Sequence, residues 1–197
     1  ISTIKWWDDS RAFTFEYNQR GHQVYRVIEI NANTGNARAL ISEEPTTFYS
    51  YRPPSDQLSS TGTNWRMDLA DGKEIIWMSE RDGWKQLYLL DLKDKSLKPL
   101  TNGAYYINYV SHVNKAKGFI LFNAQGKEAG RNPYYQHLYK LTLATGKVEL
   151  LTPENANHDV FVSPDGLYFM DNISTPTQPT RTVLKSHTTP PLSLELL

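Results

Sequence analysis

The stretch EIIWMSERDGWKQLYLLDL, Glu74 to Leu92, holds two runs rich in β-branched and aromatic residues, Ile75-Ile76-Trp77 and Trp84 through Leu92. Between them stands Asp82-Gly83, a pair that can supply the positive φ angles of a tight hairpin turn. The stretch is predicted to be a β-hairpin. Its second run alternates in places but is apolar on both sides, so both faces are expected to lie under other sheets.

Working outward, the hairpin has an echo. Leu87-Tyr88-Leu89-Leu90 followed by Pro99-Leu100-Thr101 returns, displaced by 51 residues, as Leu138-Tyr139-Lys140-Leu141 followed by Leu150-Leu151-Thr152. Tyr and the Leu before Thr are 12 positions apart in both copies. A weaker copy precedes them at a spacing of 60, with Val27-Ile28-Glu29-Ile30 leading through Asn33-Thr34-Gly35 to Leu40, again 12 residues after Ile28. Repeats of this length made of strands and turns are the mark of β-propeller blades, each a four-stranded antiparallel sheet packed on its neighbours.

A further strand is read in each repeat: Phe13-Thr14-Phe15, Ile75-Ile76-Trp77, Phe119 to Phe122 and Leu167 to Met170. Each follows a polar turn, at Asp8-Asp9-Ser10, Asp71-Gly72-Lys73, Lys115 to Gly118 and Ser163-Pro164-Asp165-Gly166. The fold class is therefore all-β, part of a β-propeller with about three complete four-stranded blades plus an incomplete one. Residues 1-197 are read as one partial propeller with blades at roughly 4-41, 65-101, 105-152 and 154-197 and a long loop at 42-64. In the last blade three strands are legible, after which HTTPPLSLELL has no strong pattern.

Composition narrows the function. Lys+Arg and Asp+Glu are equal at 21 each and no basic run marks a polyanion surface, so nucleic acid is not an expected partner. The absence of cysteine excludes disulfides, thiolate zinc sites and cysteine nucleophiles. Apolar runs reach about four residues, against the roughly 20 that cross a bilayer, so no membrane span is expected. The chain begins without Met inside what reads as a strand, which suggests a piece cut from a longer protein.

Candidate chemistry is sparse. No Gly-x-Ser-x-Gly turn is present, so no Ser-His-acid triad is read, and His22, His112, His137, His158 and His187 are too widely spaced for a zinc motif. Only His158 has a carboxylate beside it, Asp159. The paired acids Asp8-Asp9 and Glu43-Glu44 are read as solvated turn residues, and the 12 Tyr and 5 Trp as packing at blade interfaces. The long loop is read as a solvent-exposed connection between blades; the alternative is a loop that lines a cavity, in which Tyr49, Tyr51 and Arg52 are the residues to watch. No catalytic, cofactor-binding or metal-binding residue is assigned, no cofactor is expected, and the substrate-binding residues are unknown at this level.

Trp77-Met78-Ser79-Glu80-Arg81-Asp82-Gly83-Trp84, then Leu100-Thr101-Asn102-Gly103, then His137-Leu138-Tyr139, then Phe161-Val162-Ser163-Pro164-Asp165-Gly166, resemble the N-terminal β-propeller of the dipeptidyl peptidase IV family of serine peptidases, within the prolyl oligopeptidase clan. Phe15-Glu16-Tyr17-Asn18-Gln19-Arg20 is similar to its bacterial members, so the resemblance runs from about Trp6 to about Leu184. It implies an eight-bladed propeller capping a C-terminal α/β-hydrolase domain that carries the triad and removes N-terminal dipeptides. It also implies a peptide substrate reached through the parent enzyme and a periplasmic or secreted location. The family's pair of amine-binding glutamates belongs to an earlier blade in a motif this chain lacks, so Glu43-Glu44 does not take that role. The chain is then a non-catalytic segment that gates and lines the substrate cavity, with self-association through its terminal blades as a consequence. The alternative is a stand-alone propeller-like module that binds peptide, glycan or protein.

Overall fold

Short runs of Val, Ile, Leu, Tyr and Phe, cut every few residues by Gly, Asn and Asp, give sixteen strands and one 3-10 turn in the computed structural model, which describes residues 4–49 and 64–196. The chain forms two units, Ile1–Pro99 and Leu100–Leu197. Each contains two four-stranded antiparallel sheets whose strands follow one another in chain order, the construction of a propeller blade.

In the first unit, β1 (Lys5–Trp6), β2 (Ala12–Asn18), β3 (Tyr25–Asn31) and β4 (Ala37–Glu43) make one sheet. β5 (Arg66–Leu69), β6 (Glu74–Ser79), β7 (Gln86–Asp91) and β8 (Ser96–Pro99) make the second, with the 3-10 turn Ala70–Gly72 between β5 and β6. The hairpin of Glu74 to Leu92 forms with Trp77 opposite Tyr88, as its pattern requires. Its turn is longer than two residues, running from Glu80 to Lys85, and only Gly83 takes a positive φ, +88°. Tyr25, Val27, Ile41, Tyr49, Ile75, Trp77 and Leu90 form one buried cluster between the two sheets. Each such side chain contributes about 1.5–3 kcal/mol by leaving water.

In the second unit, β9 (Tyr106–Asn114), β10 (Phe119–Gln125), β11 (Gln136–Thr142) and β12 (Lys147–Leu150) pack on β13 (Asn157–Val162), β14 (Tyr168–Thr175), β15 (Gln178–Ser186) and β16 (Ser193–Glu195). The patternless end of the chain thus supplies a fourth strand, three residues long, that pairs Leu194 with Leu184. Phe119, Leu121, Leu138, Val160 and Phe169 are the core between these sheets. Strand β9 slips register twice against β10, and at each slip a polar residue is extra: Ser111, whose hydroxyl donates to Asn123 (2.6 Å), and Asn108, whose amide donates to Gln125 (3.2 Å).

One face of the first and of the last sheet carries a row of apolar residues that are half-buried or exposed. Trp6, Phe13, Ile30 and Ala37 stand in register across the first sheet, and Phe161, Met170, Leu184 and Leu194 across the last. Trp6 is 52% exposed and Phe161 and Leu194 are both 53%. Blades with a further blade beside them would show such rows.

The two units repeat one packing device. In each, the polar turn before the second strand of the later sheet has a glycine at φ +73°, Gly72 or Gly166, and an aromatic ring from the earlier sheet lies on it, Trp7 or His112. A Cβ at Gly72 would come within 2.5 Å of the Trp7 ring, whose indole N–H is fixed to Glu29 at 2.8 Å. Gly72→Ala therefore combines left-handed strain with overpacking and is expected to cost about 2–4 kcal/mol in urea unfolding. Gly146→Ala, at φ +68° with open space around it, carries the strain alone and should cost about 1–2 kcal/mol.

Candidate functional site

Alternation along a strand sends every second side chain into the inter-sheet space, and two places there are filled by charge rather than by carbon. The first lies at the end of β4. Glu43 is 6% exposed and accepts through one carboxylate oxygen from the Trp77 indole (2.8 Å) and the Arg81 guanidinium (2.6 Å). This corrects the reading of Glu43-Glu44 as two solvated acids. Glu44 is exposed and paired with Arg26, whereas Glu43 closes the core over Trp77. Asp9 fits the solvated reading, exposed and paired with Arg11 at 2.9 Å.

A groove of about 590 Å³ runs beside Glu43, walled by Glu44, Thr46, Phe48, Tyr49, Glu80 and Arg81. Its carboxylates each face a cation, Glu43 with Arg81, Glu44 with Arg26 and Glu80 with Lys85, so the groove holds no excess charge for an amine or a carboxylate. Tyr49, read as a possible cavity residue, is instead core: 6% exposed, stacked on Tyr25 with ring centroids 4.7 Å apart, its hydroxyl accepting from Asn64. Burial pushes its phenol well above the ordinary range. Tyr51 and Arg52 lie outside the described residues.

The second place joins β13, β14 and β15. His158 Nδ1 lies 2.9 Å and 3.0 Å from the two carboxylate oxygens of Asp171, and its Nε2 lies 3.1 Å from the backbone carbonyl of Glu154. Lys185 donates to Asp171 (2.9 Å) and Glu154 (2.7 Å). His158 and Asp171 have no side-chain exposure at all. Burial works to raise both acids, yet hydrogen bonds and charge from Lys185 and His158 bring Asp171 and Glu154 below the usual carboxylate range. From β11, His137 lies against His158 with ring centroids 5.0 Å apart and bonds the Thr152 carbonyl through Nδ1 at 2.9 Å.

Two chemical readings of this cluster fail on its geometry. Glu154, His158 and Asp171 bring ligand-type atoms within 4.8 Å of one another, but the Lys185 ammonium already lies between the carboxylates and supplies the positive charge a metal would. The His158–Asp171 contact is that of a base and its orienting acid, yet the far nitrogen of the ring meets a carbonyl rather than a hydroxyl nucleophile. The other histidines serve packing: His22 against Phe48, His112 over Gly166, and His187 bonded to the Gly166 carbonyl at 2.7 Å.

Sequence reading noted Asp159 beside His158, but neighbours in a strand point to opposite faces, and the partner is Asp171 on the next strand. The available signal was an aspartate at a core position, between Phe169 and Ile173 in the alternation of β14, both of which are buried.

These features define a class of protein: stacked four-stranded antiparallel sheets locked by buried ion pairs, with no catalytic constellation among the described residues. The family model of the dipeptidyl peptidase IV (DPP IV) N-terminal region matches residues 1–180, and the chain belongs to that family. Solved structures with the same fold include a Bacteroides ovatus protein assigned as a dipeptidyl aminopeptidase IV (21% identity, TM-score 0.72) and Porphyromonas gingivalis dipeptidyl peptidase 4 (17%, TM-score 0.73). They align over 99% and 98% of this chain, which spans 28% and 25% of their respective lengths.

Removing Lys185 leaves two acids facing a buried histidine without their ammonium. Lys185→Met is expected to cost about 3–5 kcal/mol in urea unfolding. Lys147→Met, which removes a surface pair with Glu149, should stay within about 0.5 kcal/mol. Because Asp171 and Glu154 are held below their unfolded values, their contribution is present above about pH 4 and lost as the pH falls through the folded titration.

Proposed function

We propose that this chain is a non-catalytic propeller segment of a DPP-IV-like serine exopeptidase, where it helps to wall and gate the cavity through which a peptide reaches the catalytic centre. The family match over residues 1–180 carries this reading. In it, a C-terminal α/β-hydrolase domain of the same polypeptide supplies the nucleophile, base and acid that release N-terminal dipeptides. The exposed apolar rows of the first and last sheets are then the faces on which further blades pack. The parent enzyme works in the periplasm or outside the cell, where its peptide substrates are.

The chain's own chemistry supports a supporting role. Its buried His–Asp pair is tied to a lysine and a carbonyl, and the groove beside Glu43 is charge-balanced. A rigid wall needs this kind of side chain, fixed in place and satisfied within the fold.

The pure chain is expected to leave a Gly-Pro p-nitroanilide at the rate of buffer. The polypeptide translated from the reading frame beyond Leu197 should carry Gly-x-Ser-x-Gly about one domain downstream and release p-nitroaniline in a reaction silenced by a serine-directed inhibitor. A stop codon shortly after Leu197, or inhibitor-sensitive turnover by the chain alone, would overturn the proposal; the former outcome would favour a stand-alone binding module.

A further inference from the structure

Both ring nitrogens of His158 face oxygens that accept. Nδ1 meets the Asp171 carboxylate, and Nε2 meets the Glu154 backbone carbonyl, which has no proton to give. A neutral imidazole has one N–H and one lone pair, so in either tautomer it would set a lone pair against a lone pair. With the side chain wholly inaccessible to solvent, no water relieves that contact.

The charge count leads to the same place. Glu154 and Asp171 bring two negative charges, and Lys185, within hydrogen-bonding distance of both, brings one positive charge. A second cation makes the set neutral, and an unbalanced charge beside the fully enclosed His158 and Asp171 side chains is unfavourable.

We propose that His158 is held as an imidazolium that donates from both ring nitrogens, completing a charge-balanced quartet with Glu154, Asp171 and Lys185. The groups that face it are Asp171 from β14, Lys185 from β15, Glu154 from the segment before β13 and His137 from β11. Arg131 and Glu128, on the connection between β10 and β11, act on His137 in opposite directions.

His137 fits this arrangement as the uncharged partner. Its Nδ1 must donate to the Thr152 carbonyl, and its Nε2 meets no donor among the described residues. Burial pushes its imidazole down and the neighbouring His158 pushes it further. Two rings 5.0 Å apart therefore share one positive charge, and the quartet extends from the fourth sheet to a contact with the third.

Nitrogen-resolved NMR of the histidine rings in the unaltered chain tests the proton count directly. At pH 6.5, where a free imidazole is half titrated, His158 should show two fully protonated ring nitrogens and His137 only one, at Nδ1. A half-titrated His158, or one with a bare ring nitrogen, would overturn the proposal.

Discussion

A strand whose two faces are both apolar has to be covered twice, and β6 and β10 are such strands: five of six residues in Glu74–Ser79 and six of seven in Phe119–Gln125 are buried. A single four-stranded sheet leaves one side of them wet. Stacking a second sheet on it, as happens within each unit, is the solution open to a short meander, and it fixes the rest: sheets of equal size, short turns, and a core that lies as a layer between sheets. The apolar rows left open on the first and last sheets follow from the same rule, since each needs a further layer.

Layers held only by carbon could slide or rotate, and the polar contacts between them restrict that. In the first unit the Trp77 indole and the Arg81 guanidinium meet on Glu43, Arg66 donates to Thr14, and Arg11 pairs with Asp71. In the second, the His158 cluster lies against His137 across the layer boundary. A buried ion pair adds little net stability over a hydrophobic substitute, but only one arrangement of the sheets satisfies it.

Much of this was legible in the residues. The 51-residue echo of Leu87-Tyr88 in Leu138-Tyr139 located equivalent strands, and Asp71-Gly72 and Ser163-Pro164-Asp165-Gly166 stand at turns, because local chemistry decides local geometry. What stayed hidden depends on contacts distant in sequence. Glu43 reads as a loop acid until Trp77, 34 positions on, is seen to donate to it. The link from His158 to Asp171 requires knowing which strands pair and which face each residue takes. Strand β16 is three residues long, and its pairing comes from the β15 edge beside it rather than from a pattern of its own. The family resemblance, resting on Ser79 to Trp84 and the motifs after it, reached further towards function than any local chemistry did, since the described residues contain ion pairs and packing but no reaction centre.

Native-state hydrogen exchange tests the layered account most directly, because protection should follow how many faces of a strand are covered. The slowest amides should lie in β6, β7, β10 and β11. Strand β14, with Tyr168 and Met170 open on one face, should be intermediate, and the outer strands β4, β8, β12 and β16 fastest. Equal protection across all strands, or the slowest exchange in β12 or β16, would contradict the account.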